Sequence, residues 1–180
     1  LAGMLGTDAD EATVSGCYFH GSVTTRGAGS TSATGAVAGT GVNANVADVY
    51  ANALVSSDGV MGDFIGIGSA DLTVRSSYSA GRANGSLATA AIAIADGSTV
   101  SDFLFYDGTN QAALCSTVAG WDAWNGDGTV GLGWPLLQWQ VERGDYALLC
   151  GYGLPGDVNS DGKVDIADAV SILNMMAEDS

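Results

Sequence analysis

Positive charge is scarce in this sequence, which has one lysine and four arginines against 20 acidic residues in a chain of 180. The formal net charge is −15. Binding to nucleic acid requires a surface rich in lysine and arginine that neutralises phosphates, and this chain cannot supply one. An anionic membrane surface would repel the chain for the same reason. The composition therefore excludes both as partners.

Long apolar runs and prolines are also lacking. The longest apolar stretch lies near residues 88–95. It is far shorter than the ~20 residues of a membrane-spanning helix, so we expect no membrane insertion. No basic segment of a signal peptide precedes Leu1, so we expect a mature chain or a fragment, from which the signal of a secreted protein has been removed. Two prolines and no long run of charge argue against a flexible linker.

Cysteine is limited to Cys17, Cys115 and Cys150, and an odd count permits at most one internal disulfide. Cys115 and Cys150 flank the same segment, and a bridge between them would fit an oxidising compartment. The alternative is three buried thiols that pack as small apolar side chains.

Glycine and small apolar residues are abundant instead. The chain has 27 glycines, 47% apolar residues and only 14% charged residues. This apolar content suffices for a core, which argues against a disordered acidic tail. Glycine scattered among valine, isoleucine, alanine, serine and threonine indicates a chain that turns often and packs small residues closely. Helical bundles do not have this composition.

Four segments within the first 110 residues share one pattern. Each has a valine, then a tyrosine or leucine four positions later, and a small or turn-forming residue three positions after that. The valines are Val14, Val46, Val74 and Val100, and the residues four positions on are Tyr18, Tyr50, Tyr78 and Leu104. A short apolar pair precedes each valine by 8 or 9 positions, counted from its second residue, which is Leu5, Val37, Ile65 or Ile92.

The spacing of the valines predicts the fold class. They lie 32, 28 and 26 residues apart, the length of one solenoid coil built from two or three short strands. Each coil would rise by one strand spacing of about 4.8 Å, so the valines would form one inward ladder and the tyrosines with Leu104 another. We therefore predict a mainly β protein with a β-solenoid or β-helix-like repeat domain. An antiparallel sandwich, whose strands recur every 8–12 residues or so, is the alternative.

These segments resemble the GLUG motif of bacterial surface and secreted proteins, in which a glycine-flanked apolar pair and a spacer precede Val-x-x-x-Tyr-x-x-Gly. The resemblance spans roughly residues 1–110, and its nearest instance is the segment 3–6, Gly-Met-Leu-Gly. The second and fourth repeats lack one or both glycines, and the fourth has Leu104 in place of tyrosine. Residues 121–140, which end in Trp-Pro-Leu-Leu-Gln-Trp-Gln, are similar to the ending that often follows such repeats. The resemblance implies a repetitive β architecture outside the cell, and it implies no reaction.

A metal-binding pattern lies in residues 157–168. Ca²⁺ takes about six to eight oxygen ligands, which a 12-residue loop provides from positions 1, 3, 5, 7, 9 and 12. Those positions are Asp157, Asn159, Asp161, the backbone carbonyl of Lys163, Asp165 (directly or through water) and Asp168. Gly162 stands at position 6, where the loop turns sharply. The sequence therefore predicts a Ca²⁺ site with a short EF-hand-like loop.

The loop resembles a type I dockerin repeat, a family that carries aspartate at position 12 and begins a helix inside the loop. The resemblance covers residues 156–177. A helix is also favoured by apolar residues spaced by 4, 3 and 3 positions, namely Ile166, Val170, Leu173 and Met176. In this family, loop positions 10 and 11 often contribute to cohesin recognition, which implies Ile166 and Ala167 as partner-binding residues. A dockerin has two such loops, and this sequence contains one.

Patterns for catalysis are weak. His20 is the only histidine, so a Ser-His-Asp or Cys-His arrangement must include it, and its place before Gly21 favours a surface turn. One histidine and three dispersed cysteines lack the spacing of zinc ligands. The enzyme hypothesis that remains is a polysaccharide lyase or hydrolase on one face of a β-helix, with Arg75 and Arg82 near Asp71. Both arginines also fit solvated charges at strand edges.

Four tryptophans lie within 19 residues, at Trp121, Trp124, Trp134 and Trp139. Their faces would stack on sugars or peptides, or they would form an apolar cluster that caps the open end of the solenoid. The cap is the simpler interpretation.

These patterns together predict three parts: GLUG-like β-solenoid repeats over residues 1–112, a Trp-rich capping segment over 113–153, and a dockerin-like calcium loop and helix over 154–180. The expected function is that of a non-catalytic protein, secreted or on the cell surface, which uses the Ca²⁺ segment for attachment to a cohesin-like or other surface protein. The alternative is a structural subunit that stacks head to tail into filaments, because solenoid ends expose unpaired strand edges.

Overall fold

The computed structural model describes residues 2–26, 32–87, 89–125, 134–143, 166–167 and 169–171. Its strands and helices, in chain order, are β1 (Ala2–Leu5), β2 (Ala12–Thr25), β3 (Ala33–Thr34), β4 (Ala38–Val42), β5 (Ala44–Ser57), β6 (Val60–Met61), β7 (Ile65–Ser69), β8 (Thr73–Ser79), β9 (Arg82–Ala83), β10 (Ser86–Leu87), β11 (Ile92–Ala95), β12 (Thr99–Phe105), α1 (Gln111–Val118), β13 (Trp124–Asn125), β14 (Leu136–Leu137) and α2 (Gln138–Arg143). Within the described residues, no helix has both the length and the apolar character that crossing a membrane would require.

The strands up to β12 stack as a β-solenoid of about three turns. One parallel sheet has the order β1-β4-β7-β11, and in a second sheet β2, β5, β8 and β12 lie side by side in parallel. A third, two-stranded sheet pairs β3 with β6. The chain thus returns to the same two larger sheets in each turn, which confirms the predicted solenoid and shows that the antiparallel sandwich is wrong.

The predicted valine ladder sets the register of the second sheet. Val14 pairs with Val46, Val46 with Val74, and Val74 with Val100. The two middle valines are fully buried, whereas Val100 is 43% exposed, because no described strand lies beyond β12. The three intervals between the valines, of 32, 28 and 26 residues, differ in length and still leave the stacking intact.

Each long strand bends two residues after its valine. The residues at the bend are Gly16, Asp48, Ser76 and Asp102, with φ of 61°, 54°, 47° and 48°. This left-handed conformation suits glycine and is tolerated best, among other residues, by short polar side chains. Every coil therefore has positive φ at this position, and the sequence places there different residues that all tolerate it.

The bend changes which way the tyrosines face. Successive side chains of a regular strand point to opposite faces, so a valine and the residue four positions later would share a face. After the bend, however, Val49 and Ala51 lie in the solenoid core with Val46, and Tyr50 belongs to a separate apolar cluster outside it. The tyrosines do stack in the predicted register, but the prediction that they form a second inward ladder is wrong.

The apolar pairs before the valines follow the predicted register only in part. The observed ladder is Ala2, Ala38, Ile65 and Ile92. Val37 is therefore one residue, and Leu5 three residues, out of the predicted register. The first coil takes up its extra residues in a turn, where Thr7 N donates to Asp10 O at 2.9 Å and Asp10 N to Thr7 O at 3.2 Å.

The tryptophan-containing segment lies along the side of the solenoid. We call its described residues, 111–125 and 134–143, the aromatic strap. It packs on the outward tyrosines of successive coils, from Tyr18 of the first to Tyr106 after the fourth. The outward tyrosines create a continuous apolar face on the side of the solenoid, and the strap covers that face. Residues 126–133 and 144–153 of the predicted capping segment lie outside the described residues, so the cap over the open end stays a prediction.

A short hairpin lies between β8 of the third coil and β11 of the fourth. β9 pairs in parallel with the end of β5, and β10 folds back antiparallel on β9. Asn84 and Gly85 form the turn with φ of 45° and 83°. Positive φ at both central residues is the requirement of a type I′ hairpin turn, which Asn-Gly meets best.

Candidate functional site

The tyrosine ladder is a closed structural cluster. The rings of Tyr50 and Tyr78 stack with centroids 5.1 Å apart, and Tyr50 O–H donates to Gln140 Oε1 at 3.2 Å. Tyr78 O–H donates to the carbonyl of Pro135 at 2.8 Å. Burial raises the pKa of both phenols well above the usual range, so both remain neutral. Trp124, which packs on both rings, is buried as well. These faces are therefore occupied by the protein itself.

One cleft lies where the strap meets the bends. Its lining includes Asp48, Arg75, Ser76, Trp121 and Asp122, and its volume is about 290 Å³. A guanidinium, two carboxylates and an indole together offer hydrogen-bond donors and acceptors beside an aromatic face. The cleft can therefore hold a polar ligand. Of its charged residues, Arg75 and Asp122 are exposed and Asp48 is half-buried.

The arginine pair suggested for an enzyme is not brought together at this cleft. Arg75 lines it, but neither Arg82 nor Asp71 does. Arg82 Nη1 donates to the carbonyl of Gly85 at 3.4 Å across its own hairpin. Asp71 occupies a left-handed turn between β7 and β8, with φ of 60°. Although the three residues are close in sequence, they do not line one site, because Arg75 lies on β8, Arg82 on β9 and Asp71 in the turn before β8.

His20 lies within β2, between aromatic rings, so the predicted surface turn is wrong. Its ring is 5.6 Å from Tyr18 and from Tyr50, in edge-on geometry. Among the described residues, neither ring nitrogen has a hydrogen-bond partner, and burial lowers the pKa to about 4. The strand continues through Gly21 because that residue pairs with Ala53 in the ladder. The register partner of His20 is Asn52, and no carboxylate of the described residues is hydrogen-bonded to the His20 ring, as a triad would require.

The least expected polar group is Asp63, which is 3% exposed. Its Oδ2 accepts a hydrogen bond from the Ser79 hydroxyl, and that hydroxyl in turn accepts one from Gly81 N at 3.2 Å. The other oxygen, Oδ1, has no hydrogen-bond partner among the described residues. Burial raises the pKa of this carboxyl to about 7. Asp63 also lines a cavity of about 230 Å³ beside the hairpin.

Sequence analysis missed this carboxyl, but a signal was present. Asp63 directly precedes the third apolar pair, and in the sequence alignment the residues that precede the other three pairs are Gly3, Gly35 and Ala90. An acidic residue at a position that is otherwise small marks a departure from the repeat. Its burial depends on the distant Ser79 and Gly81, which a local pattern does not reveal.

The predicted calcium ligands lie outside the described residues, namely Asp157, Asn159, Asp161, Lys163, Asp165 and Asp168. Of the predicted partner-binding pair, Ile166 is helical and 82% exposed, and Ala167 is helical and half-buried. The carbonyl of Ala167 accepts a hydrogen bond from Ser171 Oγ at 3.0 Å. Helical backbone thus occurs where the helix was predicted.

The metal and disulfide predictions remain predictions. Within the described ranges, no group of three or more histidine, cysteine, aspartate or glutamate side chains could hold a metal ion, and the predicted loop is not in those ranges. Cys115 is half-buried on α1, and burial raises its pKa. Cys150, its possible partner, lies outside the described residues.

Comparison of the chain with protein-family models, with curated proteins and with solved structures finds no match.

Proposed function

We propose that the chain is a non-catalytic extracellular or cell-surface protein, in which a rigid β-solenoid carries a C-terminal Ca²⁺-binding segment for attachment. The observation that carries the proposal is the spacing of oxygen side chains from Asp157 to Asp168 around Gly162. Ca²⁺ would neutralise aspartates that otherwise repel one another, and it would order the segment for docking.

The described part of the helix supports an attachment role. Ile166 and Val170 are one helical turn apart, and both are exposed. Residues four apart lie on the same face of a helix. Two neighbouring exposed aliphatic side chains, one at loop position 10 and one just after the loop, suit a partner that buries an apolar helix face, as a cohesin-like protein would.

Calorimetric titration of the whole chain with CaCl₂ tests the Ca²⁺ step. We expect one site with a Kd on the order of 10⁻⁴–10⁻³ M, the range of extracellular Ca²⁺ modules. Replacing Asp157 and Asp161 by asparagine should abolish the heat. The matched control replaces Asp58 and Asp71 by asparagine. Both are exposed and distant in sequence from the loop, so the heat of binding should not change. Absence of binding heat in the unaltered chain would refute the proposal.

Attachment is tested separately with an immobilised type I cohesin domain. We expect binding in CaCl₂ that is lost in EDTA, and at least a tenfold loss for Ile166→Asp, because burying an uncompensated carboxylate is costly. Ca²⁺ binding without any cohesin binding would keep the metal site and discard this class of partner.

A second candidate function is self-assembly into filaments. Among the described strands, β11 and β12 have no partner on their outer edges, and neither do β1 and β2 at the other end. Exposed aliphatic residues lie at both ends, Ile94 and Val100 at one and Met4 at the other. An open parallel edge that is apolar is a template for a further strand, and a head-to-tail contact that does not close gives a filament.

Sedimentation velocity with and without Ca²⁺ distinguishes the two functions. Filaments should disappear in Val100→Lys and persist in Leu54→Lys, where an equally exposed aliphatic residue lies on the side of the solenoid. A monodisperse monomer at all concentrations would eliminate the filament.

A further inference from the structure

The cavity beside the β9–β10 hairpin is a small pocket lined by both polar and apolar side chains. It has a volume of about 230 Å³. Met61, Ala83 and Leu87 provide aliphatic surface, and Ser86 and Thr89 provide hydroxyls. Asp63 is the only ionisable group among the described residues that line it. The cavity is smaller than the typical drug-sized site of about 300–1,000 Å³, so it suits a ligand of a few heavy atoms.

The carboxyl of Asp63 is held in place but only half satisfied. Ser79 donates to Oδ2, and Gly81 N fixes the Ser79 hydroxyl, so the carboxyl cannot rotate freely. Oδ1 has no hydrogen-bond partner among the described residues, although only 3% of the Asp63 surface is exposed. A buried polar atom without a partner is unfavourable, so a group that donates a hydrogen bond to Oδ1 would be bound with a gain.

The surroundings select the kind of donor. A divalent cation requires several oxygen ligands, commonly more than one carboxylate, and this pocket offers one. An ammonium group carries three donors and one positive charge, which matches one carboxylate and neighbouring hydroxyls. The aliphatic walls suit a short alkyl chain on that ammonium. The net charge of −15 also raises the local concentration of cations.

We propose that this pocket binds a primary alkylammonium group, with Asp63 as its counter-ion and Met61, Ala83 and Leu87 around the alkyl chain. The ammonium belongs either to a small free amine or to a lysine side chain of another polypeptide, and the chemistry of recognition is the same for both.

An NMR titration of the ¹⁵N-labelled whole chain with n-butylammonium chloride tests the proposal, at a pH above the Asp63 pKa of about 7. We expect saturable shifts in the amides of Asp63, Ala83 and Leu87, with a Kd on the order of millimolar for so small a ligand. 1-Butanol, a neutral analogue of the same length, should bind at least tenfold more weakly.

Asp63→Asn should weaken n-butylammonium binding at least tenfold. Asp71→Asn is the matched control, because it removes the same charge from an exposed turn whose φ of 60° asparagine tolerates, and it should bind as the unaltered chain does. Ala83→Leu, which keeps Asp63 but fills the cavity, should also abolish binding and serves if Asp63→Asn does not fold. Unchanged binding in either pocket variant, or shifts spread over the acidic surface without saturation, would overturn the proposal.

Nα-acetyl-lysine amide in place of n-butylammonium distinguishes the two sources. Equal or tighter binding of this compound assigns the pocket to lysine side chains, whereas binding of n-butylammonium alone assigns it to small free amines. Failure of both compounds to bind refutes the site.

Discussion

Two buried titratable residues make opposite contributions to stability. The pKa of Asp63 is raised to about 7, and that of His20 is lowered to about 4, in both cases because burial disfavours the charged form. Unfolded aspartate and histidine titrate near 3.9 and 6.5. The free energy of unfolding therefore depends on the protonation of each residue between roughly pH 4 and 7, and the two dependences have opposite signs.

The sign of each effect follows from which state binds the proton. Between about pH 4 and 7, folded Asp63 holds a proton that the unfolded chain has released, so the free energy of unfolding falls as pH rises, by up to about 1.4 kcal/mol per pH unit. Between about pH 4 and 6.5, the unfolded chain holds a proton on His20 that the folded chain lacks, so the free energy of unfolding rises with pH by up to the same amount. The two slopes cancel where they overlap.

Single substitutions should reveal each slope. Relative to the unaltered chain, Asp63→Asn should gain stability as pH rises from about 4 to 6.5, and His20→Gln should lose it over the same range. Urea unfolding at intervals of pH measures both differences. The acidic residues at the surface contribute equally to all three proteins, so their effect is removed in the comparison. Parallel curves for the three proteins would contradict the assignment of these pKa shifts.

Burial of such single residues is what sequence analysis predicts least well. His20 was expected in a surface turn because Gly21 follows it, yet the glycine continues β2. The sequence gives no local sign that Asp63 is buried, since Ser79, whose hydroxyl donates to it, is 16 positions away. Both errors arise because a residue's exposure depends on what the other coils bring against it.

At the level of the strand, the bends after the valines decide the arrangement of both apolar clusters. The sequence predicts the valine ladder because parallel coils stack equivalent residues. It does not predict the bend, because Gly16, Asp48, Ser76 and Asp102 share a tolerance for positive φ rather than a residue type. The outward tyrosines and the position of the aromatic strap both follow from that missed feature.

The bend can be tested at Asp102, which is exposed and left-handed. Asp102→Val should lower the free energy of unfolding by about 1–3 kcal/mol, because β-branched residues are strained at positive φ. Asp102→Gly should be close to neutral, since glycine adopts this conformation without a steric cost. Chemical denaturation measures both.

The neighbouring residue provides the control. Ser101 is exposed on the same strand and does not have positive φ. There the order should reverse, with Ser101→Val at least as stable as Ser101→Gly, because valine is favoured and glycine disfavoured in strands. The same order at both positions would show that the left-handed conformation is not what constrains residue 102.

At the scale of the whole molecule, the excess of acidic residues opposes compaction. Five basic and 20 acidic side chains leave −15 charges on 18.0 kDa, which destabilises the folded state by self-repulsion. Salt weakens that repulsion, because the screening length falls from about 30 Å at 0.01 M to about 8 Å at 0.15 M.

Thermal unfolding in EDTA should therefore shift to higher temperature when NaCl is raised over that range, by a few degrees for a domain of this size. EDTA keeps traces of Ca²⁺ from contributing. A midpoint that stays constant or falls would mean that specific ion pairs, which salt weakens, outweigh the general repulsion.

The aromatic strap has a mechanical consequence. In a plain solenoid each coil contacts only its neighbours, so a force applied at one end can detach the coils one at a time. Here Trp139 Nε1 is bonded to the carbonyl of Gly16 in the first coil, while Trp134 of the same strap packs on Tyr106 beyond the fourth. Detaching a coil therefore also breaks its contacts with the strap, which links that coil to the others. Under tension, this body should rupture in a single event instead of unravelling stepwise.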